Sequence, residues 1–170
     1  RSLSSAASDV YKRQGFDATG LEDLPIHTVW VDDWERGIDA ERNAVVFSIP
    51  SVLDHSMAPA GRHVLHAYTP ASEPWEIWAD LERDSAAYQQ RKQERCAVFW
   101  RVLERRIPDI RDRCELIMEG TPLTHSHFLN VHKGSYGPAL SAAGGLFPGV
   151  ATPLANFWLC GASTFPGIGI

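Results

Sequence analysis

The sequence predicts an α+β fold, a mostly antiparallel sheet with one long helix, ending in a strand-to-turn segment of α/β character. Short β-prone runs recur between polar stretches containing Gly and Pro in the first part of the chain. Further on, Cys96, Phe99, Trp100, Leu103 and Ile107 fall at i, i+3, i+4, i+7 and i+11, one face of a helix. Near the end, the apolar run Phe157, Trp158, Leu159, Cys160 stops at Gly161, and small residues, one proline and Gly167-Ile168-Gly169 follow. A strand covered on both faces reads as such a run. Glycines after it let backbone N–H groups approach a phosphate-bearing ligand closely. By pattern alone such a tail is more often a simple turn.

Residues 26–31 and 44–49 are the first two strands, separated by a polar segment with Gly37 and Asn43, and Pro50 closes the second. Residues 54–61 are a loop containing Pro59 and Gly61. A third strand, 63–68, alternates His63, Leu65 and Ala67 against Val64, His66 and Tyr68. Three strands with short connections predict an antiparallel meander. Residues 69–76 connect to the helix, whose other face carries Arg91, Glu94, Arg101 and Arg105 and which Pro108 ends. Trp75, Trp78 and Leu81 continue a similar stripe upstream. Such a stripe is ordinarily core; the sharper alternative is that Trp75 or Trp78 lines a long apolar channel. Residues 113–119 are another strand, broken by Thr121-Pro122, with Thr124 as N-cap of a short helix running to about His132. Residues 134–155, with five glycines and three prolines, read as a loop long enough to be functional.

The balance of 16 basic and 21 acidic residues gives a net charge of −5. No basic stripe is available to neutralise phosphates, so nucleic acid is not an expected partner. The richest basic run, 101–113, is interleaved with Glu104, Asp109 and Asp112 and reads as a solvated helix face. Cys96, Cys114 and Cys160 share no C-x-x-C spacing and read as reduced, mostly buried thiols. No run approaches the length of a membrane span. Residues 1–14 have no periodicity and no apolar h-region; their S-S-A-A-S-D-V-Y-K-R-Q string looks like a translated sequencing-library adaptor. They are expected to be an artefact that stands outside the fold.

Other chemistries find no footing. His125 and His127, or His125 and His132, lack the i, i+4 spacing of a zinc helix, and His63 and His66 face opposite sides of a strand. No metal site is expected, and the histidines read as surface or capping residues. Ser135 lies in G-S-Y-G rather than a G-x-S-x-G elbow, and Cys160 sits in an apolar run, where a thiol is expected to be buried and unreactive. The Gly-rich stretches lack the Lys of a P-loop.

One resemblance gives these blocks a context. Residues 120–123 (G-T-P-L), His125, Phe128, residues 134–139 (G-S-Y-G-P-A), 145–149 (G-L-F-P-G) and 161–169 resemble the C-terminal part of carotenoid isomerases. These belong to a flavoprotein family that also holds phytoene desaturases and retinol saturases. The resemblance implies that residues 15–133 are a portion of the substrate domain and 134–170 the returning, truncated part of an FAD-binding, Rossmann-like domain. It implies FAD as cofactor, with Gly161, Ala162, Ser163, Gly167, Ile168 and Gly169 as cofactor contacts. It further implies a polyene substrate, peripheral membrane contact through Trp75, Trp78 or Leu146-Phe147-Pro148, and a plastid location in a photosynthetic eukaryote, otherwise a cytoplasmic, membrane-associated one. The family's Gly-x-Gly-x-x-Gly unit does not occur in these residues, so the chain is expected to be a fragment that is inactive alone. Ala162 departs from the Gly-Asp-Ser of the isomerases, and Gly-Ala-x-Thr-x-Pro-Gly is closer to bacterial-type desaturases. The expected reaction is therefore cis–trans isomerisation, with a desaturase or saturase, or a non-catalytic lipid- or protein-binding module, as alternatives. No catalytic side chain is singled out.

Overall fold

The computed structural model describes residues 10–70, 72–135, 148–161 and 164. In chain order the elements are β1 (Tyr11–Asp17), β2 (His27–Val31), β3 (Ala44–Ser48), β4 (Arg62–Tyr68), α1 (Ala86–Arg106), the single turn α2 (Ile110–Arg113), β5 (Cys114–Gly120) and α3 (Pro122–Leu129). The strands form one antiparallel sheet in the order β2-β3-β4-β1-β5. The expected meander is present as β2–β4. Strand β1 lies between β4 and β5, with Tyr11 opposite Tyr68 and Gly120, and Gly15 opposite Val64 and Leu116.

That placement corrects, for residues 10–14, the expectation that residues 1–14 stand outside the fold. Val10 and Lys12 are fully buried and Gln14 nearly so. A gap between two strands satisfies the backbone N–H and C=O groups of any extended segment that enters it, whatever its side chains. The side chains register the mismatch. Lys12, Gln14 and Phe16 point to the helix-covered side, where only Phe16 is apolar. Lys12 Nζ donates to Glu119 Oε1 at 2.7 Å and lies 3.3 Å from the Trp100 ring centroid. Burial pushes its pKa down against the pull of Glu119. The side-chain amide N and O of Gln14 have no partner. An unpaired buried polar group costs about 1–3 kcal/mol. Gln14→Leu is therefore expected to stabilise the chain by about that amount, read as a higher urea midpoint at unchanged slope. A midpoint that stays put or drops would contradict this reading of the site.

Helix α1 starts where Ser85 Oγ accepts the Tyr88 N–H and stops at Ile107, before Pro108. It reaches ten residues upstream of the predicted stripe because that cap, not the apolar spacing, sets its first turn. Tyr88, Cys96, Phe99, Val102 and Leu103 form one buried cluster with Phe16, Val45, Phe47, Leu65 and Ala67 of the sheet. Burial pushes the Cys96 thiol well up, as the sequence reading expects of an inert core cysteine. Ahead of the helix, Trp78 is fully buried and donates Nε1–H to Glu73 at 3.1 Å. It is a core residue, which removes it from both the channel and the membrane-contact readings. Trp75 is half-buried.

Two further expectations are corrected. Thr121, not Thr124, caps α3; Thr124 is the reciprocal partner three residues on, and its Oγ1 accepts the Thr121 N–H at 3.0 Å. The helix ends at Asn130 in the left-handed region, short of His132. Residues Phe157, Trp158 and Leu159, expected to form a strand buried on both faces, are exposed. They belong to a small turn closed by an Ala151–Trp158 bridge and by Thr152 Oγ1 donating to the Phe157 carbonyl at 2.7 Å. Among the described residues no strand lies beside this run, so there is no sheet for it to enter.

Candidate functional site

Helix α1 covers one face of the sheet, and the other is open. An antiparallel sheet with a solvated face normally presents polar side chains there. Here the register places Val64, Leu116 and Met118 around Gly15 on the open side, with Leu116 55% and Met118 49% exposed. Over Gly15 lies a cavity of about 330 Å³, walled by Val64, Leu116, Met118, Met57 and Pro50. A second cavity of about 260 Å³ adjoins it, lined by Tyr11, Thr124, His125, Phe128 and Leu129. Arg13 and His66 line both.

Local structure accounts for each polar member. His66 is placed by the alternation of β4. His125 is presented by the first turn of α3, which the Thr121–Thr124 capping pair holds and which the Tyr88 hydroxyl joins to α1 at 3.1 Å from Thr121 Oγ1. Behind that turn, Gly134 is at φ 66°, and a Cβ there would sit 2.2 Å from the Pro122 carbonyl oxygen, so only glycine permits the following loop to close on α3. The Tyr11 ring lies 5.0 Å from His125 and 6.1 Å from His66 between centroids. Burial, and secondarily the Arg13 charge, holds both histidines below their ordinary pKa. His66 is half-buried and His125 buried, which corrects their reading as surface or capping residues. The period-2 pattern of β4 already indicated the face of His66; nothing local marked His125, whose surroundings come from β1 and β4.

His63 is lowered too, by burial and then by His55, whose ring is 6.4 Å away. For all three histidines the unfolded chain binds more protons just below pH 6.5, so the contribution is present above about pH 6.5 and is lost as pH falls through that value toward the folded pKa. The carboxylates held low, Asp17, Asp54 and Asp109, act below their ordinary range, outside this window, whereas Glu73, pushed up by burial, acts with the opposite sign to the histidines. The thermal midpoint is expected to fall between pH 7.5 and 5.5, less so in a His66→Gln, His125→Gln variant. A flat profile in circular dichroism would contradict the assignment.

Of the residues implied as cofactor contacts, Gly161 is described, and Ala162, Ser163, Gly167, Ile168 and Gly169 lie outside the described residues, as do Leu146 and Phe147. Gly161 is exposed at φ 122°, with no atom within 4 Å of where a Cβ would stand. Its carbonyl accepts the N–H and Oγ1–H of Thr164 at 3.1 and 2.9 Å. This conformation, open to close approach by a ligand, fits a cofactor-facing turn. Among the described residues, no helix is long and apolar enough to cross a membrane, and no three His, Cys, Asp or Glu side chains gather where they could hold a metal ion.

Comparison with known proteins adds the family. No family model matches the chain. It is 35% identical over 149 residues to the chloroplastic prolycopene isomerase of Arabidopsis thaliana and 32% identical over the same length to that of Daucus carota. Both matches span 85% of this chain. A weaker match, 28% over 138 residues, is to an all-trans-retinol 13,14-reductase of Danio rerio. The chain spans about a quarter of the length of these relatives, 24% of the Arabidopsis protein. Over most of its own length, this chain is a homologue of the prolycopene-type carotenoid isomerases.

Proposed function

We propose that the protein containing this chain is an FAD-dependent enzyme that isomerises cis double bonds of a carotenoid to trans. The observation that carries the reading is the 32–35% identity to prolycopene isomerases over 85% of the chain. In this reading residues 15–133 are substrate domain and 134–170 return to a Rossmann-like FAD domain. Residues 1–14 are adaptor-derived, and residues 11–14 of them occupy a slot between β4 and β5; the inward polar pair Lys12 and Gln14 supports that origin.

Gly161, Ala162, Ser163, Gly167, Ile168 and Gly169 are this chain's share of the cofactor site. Bound in its reduced form, FAD would supply the electron density that lowers the bond order of a polyene double bond. The chain's own residues bind and exclude water: Val64, Leu116 and Met118 offer a hydrocarbon surface, and His66 and His125 stay uncharged beside it. In a photosynthetic eukaryote the location is the plastid, a reading the chloroplastic relatives support. Peripheral membrane contact follows from a water-insoluble substrate, and Leu53 and Met57, both exposed and Met57 on the cavity rim, are the apolar side chains placed for it.

A desaturase or saturase remains the second reading, favoured by the Gly-Ala-x-Thr-x-Pro-Gly tail and the retinol reductase relative. Joining the chain to its upstream FAD unit and supplying prolycopene separates the two. An all-trans product of unchanged mass supports isomerisation; a mass change of two hydrogens overturns it. The 170-residue chain alone is expected not to hold FAD, because no Gly-x-Gly-x-x-Gly unit is in it. Stoichiometric binding with quenched flavin fluorescence would contradict a split site.

A further inference from the structure

Gly15 is a glycine without a local reason. It lies in the middle of a central strand, its backbone is not left-handed, and a Cβ on it would meet only the Leu116 Cβ, at an ordinary 3.5 Å. Neither conformation nor packing requires it, and a glycine inside a strand weakens the sheet unless something approaches the backbone there. What its missing side chain creates is the floor of the larger cavity, with Val64 and Leu116 as flanks and Met118 and Met57 as walls. Neither this cavity nor its neighbour is lined by a carboxylate. His66 stands where the two meet, so a ligand longer than the first cavity passes that ring.

We propose that the trough over Gly15 is the seat of the polyene chain, with His66 as the wall that a longer chain must pass. The inference rests on the carotenoid reading for the identity of its occupant. Its geometric part stands on Gly15, Val64, Leu116, Met118 and His66, none of which lies in residues 1–14. An uncharged hydrocarbon matches the apolar walls of Val64, Leu116, Met118 and Met57 and the absence of a carboxylate, and the Arg13 guanidinium is the one charged group lining the two cavities. A side chain larger than alanine at position 15 occupies the same space.

The test titrates the whole chain with all-trans-retinol as a short polyene probe, delivered in a little ethanol, following quenching of tryptophan fluorescence. Gly15→Leu is expected to weaken binding at least tenfold, Gly15→Ala by less, and Val29→Leu, on the same face but outside both cavities, not at all. His66→Ala is expected to keep or improve binding. The thermal midpoint of each variant is measured in parallel. If Gly15→Leu does not fold, Leu116→Ser and Met118→Ser on the exposed edge strand serve instead, and binding is expected to fall in both. Undiminished binding in a folded Gly15→Leu, or in both serine variants, overturns the seat, as does failure of the unaltered chain to bind. Equal affinity for retinol and for a saturated alcohol of similar length, both lost in Gly15→Leu, keeps the seat and overturns the polyene as its occupant.

Discussion

Deleting residues 1–14 is expected to abolish cooperative unfolding of this chain. Strand β1 is hydrogen-bonded on both edges, to β4 and to β5, and the deletion leaves only Gly15, Phe16 and Asp17 of it. Strand β5 then loses its neighbour in the sheet, and α3, which follows it directly, is left with its link to α1 through the Tyr88 hydroxyl. Val10, buried in the core, goes too, as does the Lys12–Trp100 contact. A domain has only about 5–15 kcal/mol of total stability, and the loss of a central strand exceeds that. Far-UV circular dichroism on heating is expected to show a broad, non-cooperative change. A preserved sharp transition at the original midpoint would mean that β4 and β5 can close on each other directly, and that residues 10–14 are dispensable despite their position.

The second large effect is expected at Arg95. Its guanidinium makes two bonds to the fully buried Glu73, at 2.7 and 2.9 Å, and the terminal nitrogen that makes the second also pairs with Glu41. The cluster ties the connector before α1 and the β2–β3 loop to the middle of the helix. Arg95→Ala strands the Glu73 carboxylate in the interior with only Trp78 Nε1–H as partner, a loss of about 3–5 kcal/mol and roughly 10 °C in midpoint for a chain of this size. Glu73→Ala should cost less, because Arg95 keeps Glu41. The double change Arg95→Met, Glu73→Leu is expected to recover most of the loss, since buried pairs are seldom better than a packed apolar substitute. Equal damage from both single changes, or no recovery in the double, would count against this division of the cluster.

Local rules accounted for the elements whose signals are local. The stripe from Cys96 to Ile107 and the stop at Pro108 placed the second half of α1, and the alternation of residues 63–68 placed β4 with its faces assigned. Residues 113–119 matched β5 to within a residue. The Thr121-Pro122 break was seen, but which threonine caps α3 depends on φ and ψ, which spacing alone does not supply. Trp78 looked the same by pattern as a channel residue and as a core residue; the buried Glu73–Arg95 pair beneath its indole decides for the core.

By itself, the sequence determined the α+β class, the antiparallel strands β2 to β4, the long helix and the kinship with carotenoid isomerases, because side-chain periodicity and motif spacing are properties of neighbouring residues. Only the tertiary structure decided that residues 10–14 enter the sheet, since a vacant pair of strand edges exerts its pull through the backbone and leaves no trace in side-chain pattern. The same holds for the groove. Gly15, Val64, Leu116 and His66 come from three strands far apart in the chain, and they meet because the register sets them on the face opposite α1.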